Sequence, residues 1–453
     1  MKEYEIVTVP NPKLSEVTRK VTSFSCELQN QIQKMVKVLR KEGGIGLAAN
    51  QLGYDNRVIA IEFENLSKKE GVKEHIPLTI FINPEVVEFS RQEECLEEGC
   101  LSVPKIELEV DRPSKLKLKY QNQEGHKIKI APKGLLARIL QHEIDHLNGI
   151  IFTERVKKQF FQKSPEFKNL KIAFFGSGEF AAIILEGLIL LGLNLDIYTE
   201  KAKPAGRNQQ SNPTPVAQVC RKFDKKFNEI QNVSDFGFRI SDFDLLICSD
   251  FGKIIPPNIL NAVRIASLNI HPSLLPKYIG PTPVQTAILN GDKTTGVSII
   301  KMINKIDEGP LYSQIEIEIL KNDTYLILRD RLATLGLKLL VKTLPKIVSG
   351  EIEAIGQDLS KATRTRKFIK ADGGIDWKKS PKKIDAQIRA FHLWPGSFTF
   401  IDNKRLIIHE AHLENDKLVL DLVQFEGKKS VTWKEFLRGY KGTKPEWSEK
   451  IKI

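Results

Sequence analysis

From residue 170 onward, short apolar runs alternate with helical stretches, and no other feature restricts the possible fold as much. The runs cover 171–175, 193–199, 244–248, 267–271 and 297–302. Each has strand length and is rich in β-branched or aromatic residues, and their alternation with helices predicts a parallel α/β sheet. A polar stretch, Gln162-Lys-Ser-Pro-Glu-Phe-Lys-Asn169, precedes the first run. Residues 170–176 then read as a fresh start, a buried strand closed by glycine. The alternation ends in an amphipathic stretch at 323–349, and 361–370 holds five basic residues and no acid. After Gly373-Gly374 the texture changes to short alternating runs (397–401, 405–409, 418–423), as in a small β-barrel or sandwich. The expected organisation is multidomain: 1–165, 170–350, a basic linker at 351–370, and 371–453.

The length of 453 residues suits about three domains at roughly 150 residues each. The longest apolar stretch, near 183–193, is interrupted by Glu186, so a membrane span is not expected. The opening Met1-Lys-Glu-Tyr-Glu-Ile carries acids and no apolar segment, which argues against a secretory signal. Five cysteines without framework spacing read as reduced thiols, and the expected location is cytoplasmic. Of the formal net charge of +13, residues 1–165 carry +3 and the remainder +10. That excess favours a polyanionic partner for the second part, although a generic lysine-rich surface gives the same balance.

Two groups of residues carry chemistry. In the helical run 134–146, His142 and His146 stand four apart and share a face. They can offer two imidazoles to one metal, with Glu143 beside a ligated water. A third ligand has to come from elsewhere, because position 152, where one zinc-protease class has a histidine, is Phe. Upstream, Glu98-Gly-Cys-Leu-Ser102 offers Cys100, and on spacing alone Cys95 competes with it. In Gly44-Ile-Gly-Leu-Ala-Ala-Asn-Gln51, small residues permit close backbone packing. Gln51 is a possible donor to an oxyanion there, although the string also reads as a loop entering a packed strand.

Together these three segments resemble peptide deformylase across essentially all of 1–165. The resemblance implies an α+β domain with Cys100, His142 and His146 as metal ligands and Glu143 as general acid/base. It implies Gln51 and the Leu101 amide as oxyanion donors. Substrate would lie as an added strand beside Ile45, Gly46 and Gly99. The implied metal is ferrous iron, with zinc, nickel or cobalt also accommodated, and the implied substrates are N-formylmethionyl nascent peptides.

The second group begins with a loop that invites a different reading. Gly176-Ser-Gly-Glu-Phe-Ala181 follows a strand and opens a helix, and Glu200 ends the next strand. Taken locally, that is a dinucleotide-binding fingerprint and suggests an NAD(H) oxidoreductase. Further on, Asn269-Ile-His271-Pro-Ser273-Leu-Leu-Pro276 lies at a predicted strand end and a later strand is followed by Asp307-Glu-Gly. An amide, an imidazole and a carboxylate at strand ends suit acyl transfer to an amine. Asn269 would bind the oxyanion, His271 would polarise it or pass a proton, and Asp307 would orient His271.

This pattern resembles the formyltransferases that use 10-formyltetrahydrofolate, over roughly 170–453. It is nearest to the methionyl-tRNA formyltransferases through Gly176–Phe180, the loop Lys203-Pro-Ala-Gly-Arg207, Ile375-Asp-Trp377 and Phe391-His-Leu-Trp-Pro395. The resemblance implies a Rossmann-like catalytic domain and an OB-like β-barrel. It places folate beside Ser273, Leu274, Leu275 and Pro276, and the acceptor end of methionyl-initiator tRNA at Lys203 and Arg207. Two departures stand out: Ser177-Gly178 replaces the usual Thr-Pro, and Ile279 replaces the usual Arg before Gly280. The expectation is thus one chain with opposed activities, deformylase and formyltransferase, with the ribosome a possible partner and no membrane. A nucleotide-sugar formyltransferase and a non-catalytic tRNA- or ribosome-binding remnant are the alternatives.

Overall fold

The structure is a computed structural model that describes residues 5–64, 75–202, 204–205, 210–231, 242–442, 447 and 451. It divides into two compact units: Met1–Asn169 with Gly187–Leu193, and Leu170–Glu186 with Asn194–Ile453.

The first unit runs α1 (Cys26–Glu42), β1 (Gly46–Ala48), β2 (Val58–Glu64), β3 (His75–Phe89), β4 (Glu93–Cys100), β5 (Val103–Pro113), β6 (Leu116–Gln121), β7 (Lys127–Ile130), α2 (Gly134–Leu147) and α3 (Phe152–Lys163). Helix α1 starts where the Ser25 hydroxyl accepts the Leu28 N–H, and it stops at Gly43, whose φ of 67° suits glycine. Strands β1-β2-β3-β6-β7 form an antiparallel sheet in that order, and β4 and β5 pair as a separate ribbon. Strand β2 is apolar without alternation because both its faces are covered. Val58 and Ala60 pack with Leu28, Ile32, Met35 and Leu39 of α1, whereas Ile59 and Ile61 pack with Ala137, Ile139 and Leu140 of α2. Helix α2 is therefore held against the sheet, with its polar motif residues turned toward β1 and the ribbon.

In the second unit come β8 (Ile172–Gly176), α4 (Glu179–Leu190), β9 (Leu195–Glu200), a short ladder of β10 (Pro204–Ala205) with β11 (Gln210–Ser211), α5 (Pro215–Lys222), β12 (Phe227–Ile230), β13 (Leu245–Ser249), α6 (Pro257–Leu260), β14 (Ala266–His271), α7 (Pro283–Asn290), β15 (Thr294–Lys301), β16 (Leu311–Glu318) and α8 (Tyr325–Val348). The seven-stranded sheet has the order β12-β9-β8-β13-β14-β15-β16. Its first five strands are parallel, but β15 and β16 run antiparallel to their neighbours. The expected all-parallel sheet is thus corrected to a mixed one. Only residues 302–310 join β15 to β16, too few for a crossover, which needs about a dozen. Alternating burial along β16 fits an edge strand with one wet face.

After α9 (Pro381–Ala390), the strands β17 (Ser397–Ile401), β18 (Lys404–Glu414), β19 (Lys417–Phe425) and β20 (Ser430–Thr432) form an antiparallel sheet in sequence order, followed by α10 (Trp433–Gly439). Its inner face, with Leu406, Ile408, Leu420 and Val423, packs on Ile384 and Ile388 of α9 and on Trp433 and Phe436 of α10. Among the described residues, no helix is long and apolar enough to cross a membrane.

Candidate active sites

Helical spacing brings the His142 and His146 rings to 5.0 Å between centroids. Cys100, the last residue of β4, closes the group with its Sγ 3.1 Å from His146 Nε2. One donor atom from each of the three lies within 4.8 Å of the others. Sulfur and nitrogen ligands on one tetrahedral ion stand about 3.5 Å apart, so the set fits a divalent transition metal. Burial opposes ionisation of Cys100, yet His146 and His142 hold its thiol well below the usual range, as a thiolate ligand requires. Cys95 is exposed, 3.8 Å from Glu109, and outside this group. Its thiol is pushed up to about 11 by burial and by Asp111. The two cysteines are five positions apart, and an odd offset along a strand turns them to opposite faces.

Behind Cys100, His142 and His146 lies a buried charge network. Glu98 Oε2 is 2.9 Å from His142 Nδ1, which directs the other ring nitrogen toward Cys100. Arg112 donates to both Glu98 oxygens, at 2.6 and 2.9 Å, and to Asp145 Oδ2 at 2.6 Å. Arg138 reaches Glu98 at 3.0 Å, and Arg155 binds both oxygens of Asp145. Burial works against the Glu98 carboxylate, but His142 and Arg112 hold it well below the ordinary carboxylate range. Sequence reading did not pick out Glu98, Arg112 or Asp145. Two of them stand inside the motifs that carry the ligands, and that position was the available signal.

Glu143 is buried, and its Oε2 has no hydrogen-bond partner among the described residues. Burial raises its carboxyl above the ordinary range, which suits a group that takes and returns a proton. Gly46 gives it room: a Cβ there would stand 2.5 Å from Glu143 Oε1. Gln51 is also buried, and its Oε1 accepts the Ala48 N–H at 2.8 Å. Its Nε2 points toward Cys100 Sγ at 3.5 Å and Ser102 Oγ at 3.1 Å, so its donors face the metal group. Leu101 follows Cys100 and packs near Gly44. Gly46 opens β1, an edge strand of the sheet, Ile45 stands just before it, and Gly99 lies beside Glu107 on the ribbon. β1 ends the strand order of the sheet, but its Leu47 and Ala48 are buried and the Ala48 N–H is bound to Gln51 Oε1.

In the second unit the strand ends bring three predicted residues together. Asn269 Nδ2 donates to Asp307 Oδ1 at 3.1 Å, and His271 Nδ1 is 3.6 Å from Asp307 Oδ2. His271 Nε2 lies 3.0 Å from the Tyr278 carbonyl. Ser273 and Leu275 turn inward: the Ser273 hydroxyl donates to Lys277 O, and the Leu275 N–H donates to Ser298 Oγ. Leu274 packs against Gly296, and Pro276 accepts the Thr363 N–H. Ile279 is buried with Leu275 and Ile300, so that position supplies apolar packing and no cation.

The glycine loop does not offer a pyrophosphate site. The N–H groups of Ser177 and Gly178 both donate to Asp250 O, at 3.1 and 3.2 Å, and the Asp250 carboxylate accepts the Phe180 N–H. A Cβ on Gly178 would collide with that carboxylate, so Gly178 and Asp250 fit each other. Glu200 Oε1 accepts the Gly252 N–H at 3.0 Å and is not free for a ribose. With amides and acid both engaged inside the fold, the oxidoreductase reading is overturned.

Lys203 and Arg207 lie outside the described residues. In the basic segment, Arg364 pairs with Glu308, Arg366 with both oxygens of Asp372, and Lys361 with Asp358.

Fold and sites define a metal-hydrolase domain followed by an acyl-transfer domain. The family models agree with that division: polypeptide deformylase matches residues 3–161, formyl transferase 170–344, and the formyl transferase C-terminal domain 367–419. The chain is 34% identical over 253 residues to a methionyl-tRNA formyltransferase of Staphylococcus aureus (strain MW2), covering 55% of this chain and 81% of that protein. With the methionyl-tRNA formyltransferase of Sulfurihydrogenibium sp. it shares 32% identity over 304 residues, covering 60% and 97%. A solved peptide deformylase from Thermotoga maritima is 34% identical, covering 34% of this chain and 98% of its own, with a TM-score of 0.30. The chain belongs to the methionyl-tRNA formyltransferase family and carries a peptide deformylase domain in front of it.

Proposed function

We infer that this chain is a two-activity enzyme of formyl-methionine metabolism. One domain removes N-formyl groups from nascent peptides, and the other transfers formyl from 10-formyltetrahydrofolate to the amino group of methionyl-initiator tRNA. The observation that carries this is the presence of two separate reactive groups in one chain, Cys100–His142–His146 with Glu143 and Asn269–His271–Asp307.

In the first domain Cys100, His142 and His146 would hold a divalent metal, which would supply Lewis-acid activation of water. Glu143 takes a proton and returns it to the departing amine nitrogen, the role its raised pKa suits. Gln51 and the Leu101 amide face the negative charge that develops on the formyl oxygen. Peptide adds to the β1 edge beside Ile45, Gly46 and Gly99. Ferrous iron is the proposed native metal, and the mixed soft and borderline donors also accept zinc, nickel or cobalt.

In the second domain the Asn269 amide and the His271 imidazole meet the charge on the transferring formyl group; Asp307 binds Asn269 and stands beside His271, which it helps to orient. The 273–276 turn borders the folate, and Lys203 and Arg207 approach the acceptor end of the tRNA. The five parallel strands support a Rossmann-like description of 170–350, and the small antiparallel sheet after α9 supports an OB-like barrel at 371–453. The proposed boundaries are 1–165, 170–350 and 371–453, with a basic linker at 351–370. A cytoplasmic location and contact with the ribosome complete the reading.

The test treats the whole protein with a chelator. Deformylation of a formyl-methionyl peptide should stop and return with added divalent metal, while formyl transfer to methionyl-tRNA should continue. Transfer to an amino sugar and not to the tRNA would replace this reading of the second domain.

A further inference from the structure

Residues 355–366, between the two formyltransferase domains, run beside the loop that follows His271 and the loop that carries Asp307. His271 Nε2 is 3.0 Å from the Tyr278 carbonyl. A carbonyl only accepts, so this nitrogen bears the proton and Nδ1 is the one that faces Asp307. The Tyr278 carbonyl therefore sets the orientation of His271. Tyr278 itself has φ 64°, a conformation a bulky residue keeps only when its neighbours hold it. Asp292 and Asn290 bind its hydroxyl, and Thr363 holds the backbone around it: its Oγ1 accepts the Tyr278 N–H at 2.8 Å, its carbonyl accepts the Ile279 N–H at 2.8 Å, and its N–H donates to Pro276 O at 3.2 Å.

The same segment holds the Asp307 loop. Gln357 Nε2 donates to Asp307 O at 2.8 Å and Gly309 O at 2.6 Å, and Asp307 too has a positive φ, 56°. Thr365 donates its N–H to Ile279 O at 2.8 Å. Beside it, Gly280 donates its N–H to Asp307 Oδ2 at 3.0 Å, and a Cβ on Gly280 would stand 2.8 Å from Thr365 Oγ1. Thr363 is an exposed residue, so core packing does not account for these bonds.

We propose that this segment belongs to the formyl-transfer machinery, with Thr363 and Gln357 as positioning residues. Thr363 places the carbonyl that orients His271, and Gln357 fixes the backbone from which Asp307 projects. The proposal rests on the reading of Asn269, His271 and Asp307 as the transfer centre. Small displacements of such groups cost rate rather than affinity.

The experiment uses the full chain. Thr363→Val keeps the branched shape and removes the acceptor, and it should lower kcat for formyl transfer about tenfold, with KM for methionyl-tRNA and folate within about twofold. Thr363→Ser should restore most of the rate, and deformylation by the same preparation should be unchanged. Gln357→Met should behave like Thr363→Val, and it decides the matter by the same criteria where Thr363→Val yields no folded protein. An unchanged kcat, a change confined to KM, or a serine variant as slow as the valine one would overturn the proposal. Wild-type protein that deformylates but transfers no formyl would instead remove the reading beneath it, and the proposal with it.

Discussion

Gly46 and Glu143 fit against each other so closely that a single methyl group does not fit between them. A Cβ on Gly46 would stand 2.5 Å from Glu143 Oε1 and 2.9 Å from Ile139 Cγ2. The glycine of one motif thus leaves room for the carboxylate of another, 97 positions along the chain. Gly46→Ala should push that carboxylate out of place and lower deformylase kcat about 100-fold while metal content is retained. Overpacking should also cost about 1–3 kcal/mol in stability. Metal analysis with steady-state kinetics reads both effects, and wild-type turnover would refute the contact.

Two cysteines near each other in sequence should separate sharply in experiment. Cys100→Ser should lose metal on dialysis, because a neutral hydroxyl replaces the thiolate beside His146. Cys95→Ser, on the other face of β4, should retain it. Equal loss in the two variants would remove Cys100 from the ligand set.

What the sequence made legible was local. His142 and His146 share a face because four residues is about one helical turn, and nothing distant is needed to see it. The apolar runs found β8, β9, β13, β14 and β15 but not β12 or β16, and a buried run is the same in either direction, so the reversal of β15 was hidden. Glu98 and Arg112 meet because β4 and β5 fold back in a particular register, and an isolated Arg112 carries no sign of it. The glycine loop misled for the same reason: Asp250, which uses its amides, lies 72 positions beyond Gly178.

The buried network should make the first unit sensitive to acid. Glu98 titrates near 4.3 in an unfolded chain and well below that in the fold. Its contribution to stability is therefore present above about pH 4.3 and is lost as pH falls toward the folded value, because the unfolded chain then takes up the proton first. Glu98→Gln should flatten the acid side of a stability curve measured by chemical denaturation. It should also weaken metal binding about 10–100-fold by loosening His142. An unchanged acid slope would show that Glu98 is not ionised as described.

Salt should separate the substrates of the second domain. If 361–370 and the loop bearing Lys203 and Arg207 contact phosphates, KM for methionyl-tRNA should rise steeply with salt while KM for folate changes little. Each lost phosphate contact should reduce the slope by about 0.9, a value from duplex DNA. Replacing Arg364 and Arg366 with Gln should flatten it by less than two full contacts, since Glu308 and Asp372 already partner those side chains. A slope untouched by substitution throughout 361–370 would mark the segment as a generic basic surface.

If one chain holds two independent and opposed activities, paired single substitutions in the full-length protein should separate them. Both reactions would be assayed on wild type, Glu143→Gln and His271→Ala. Glu143→Gln should retain metal, lose deformylation and keep formyl transfer, and His271→Ala should do the reverse, the pattern that independence requires. Either substitution abolishing both reactions, or neither reaction responding to its own, would contradict it.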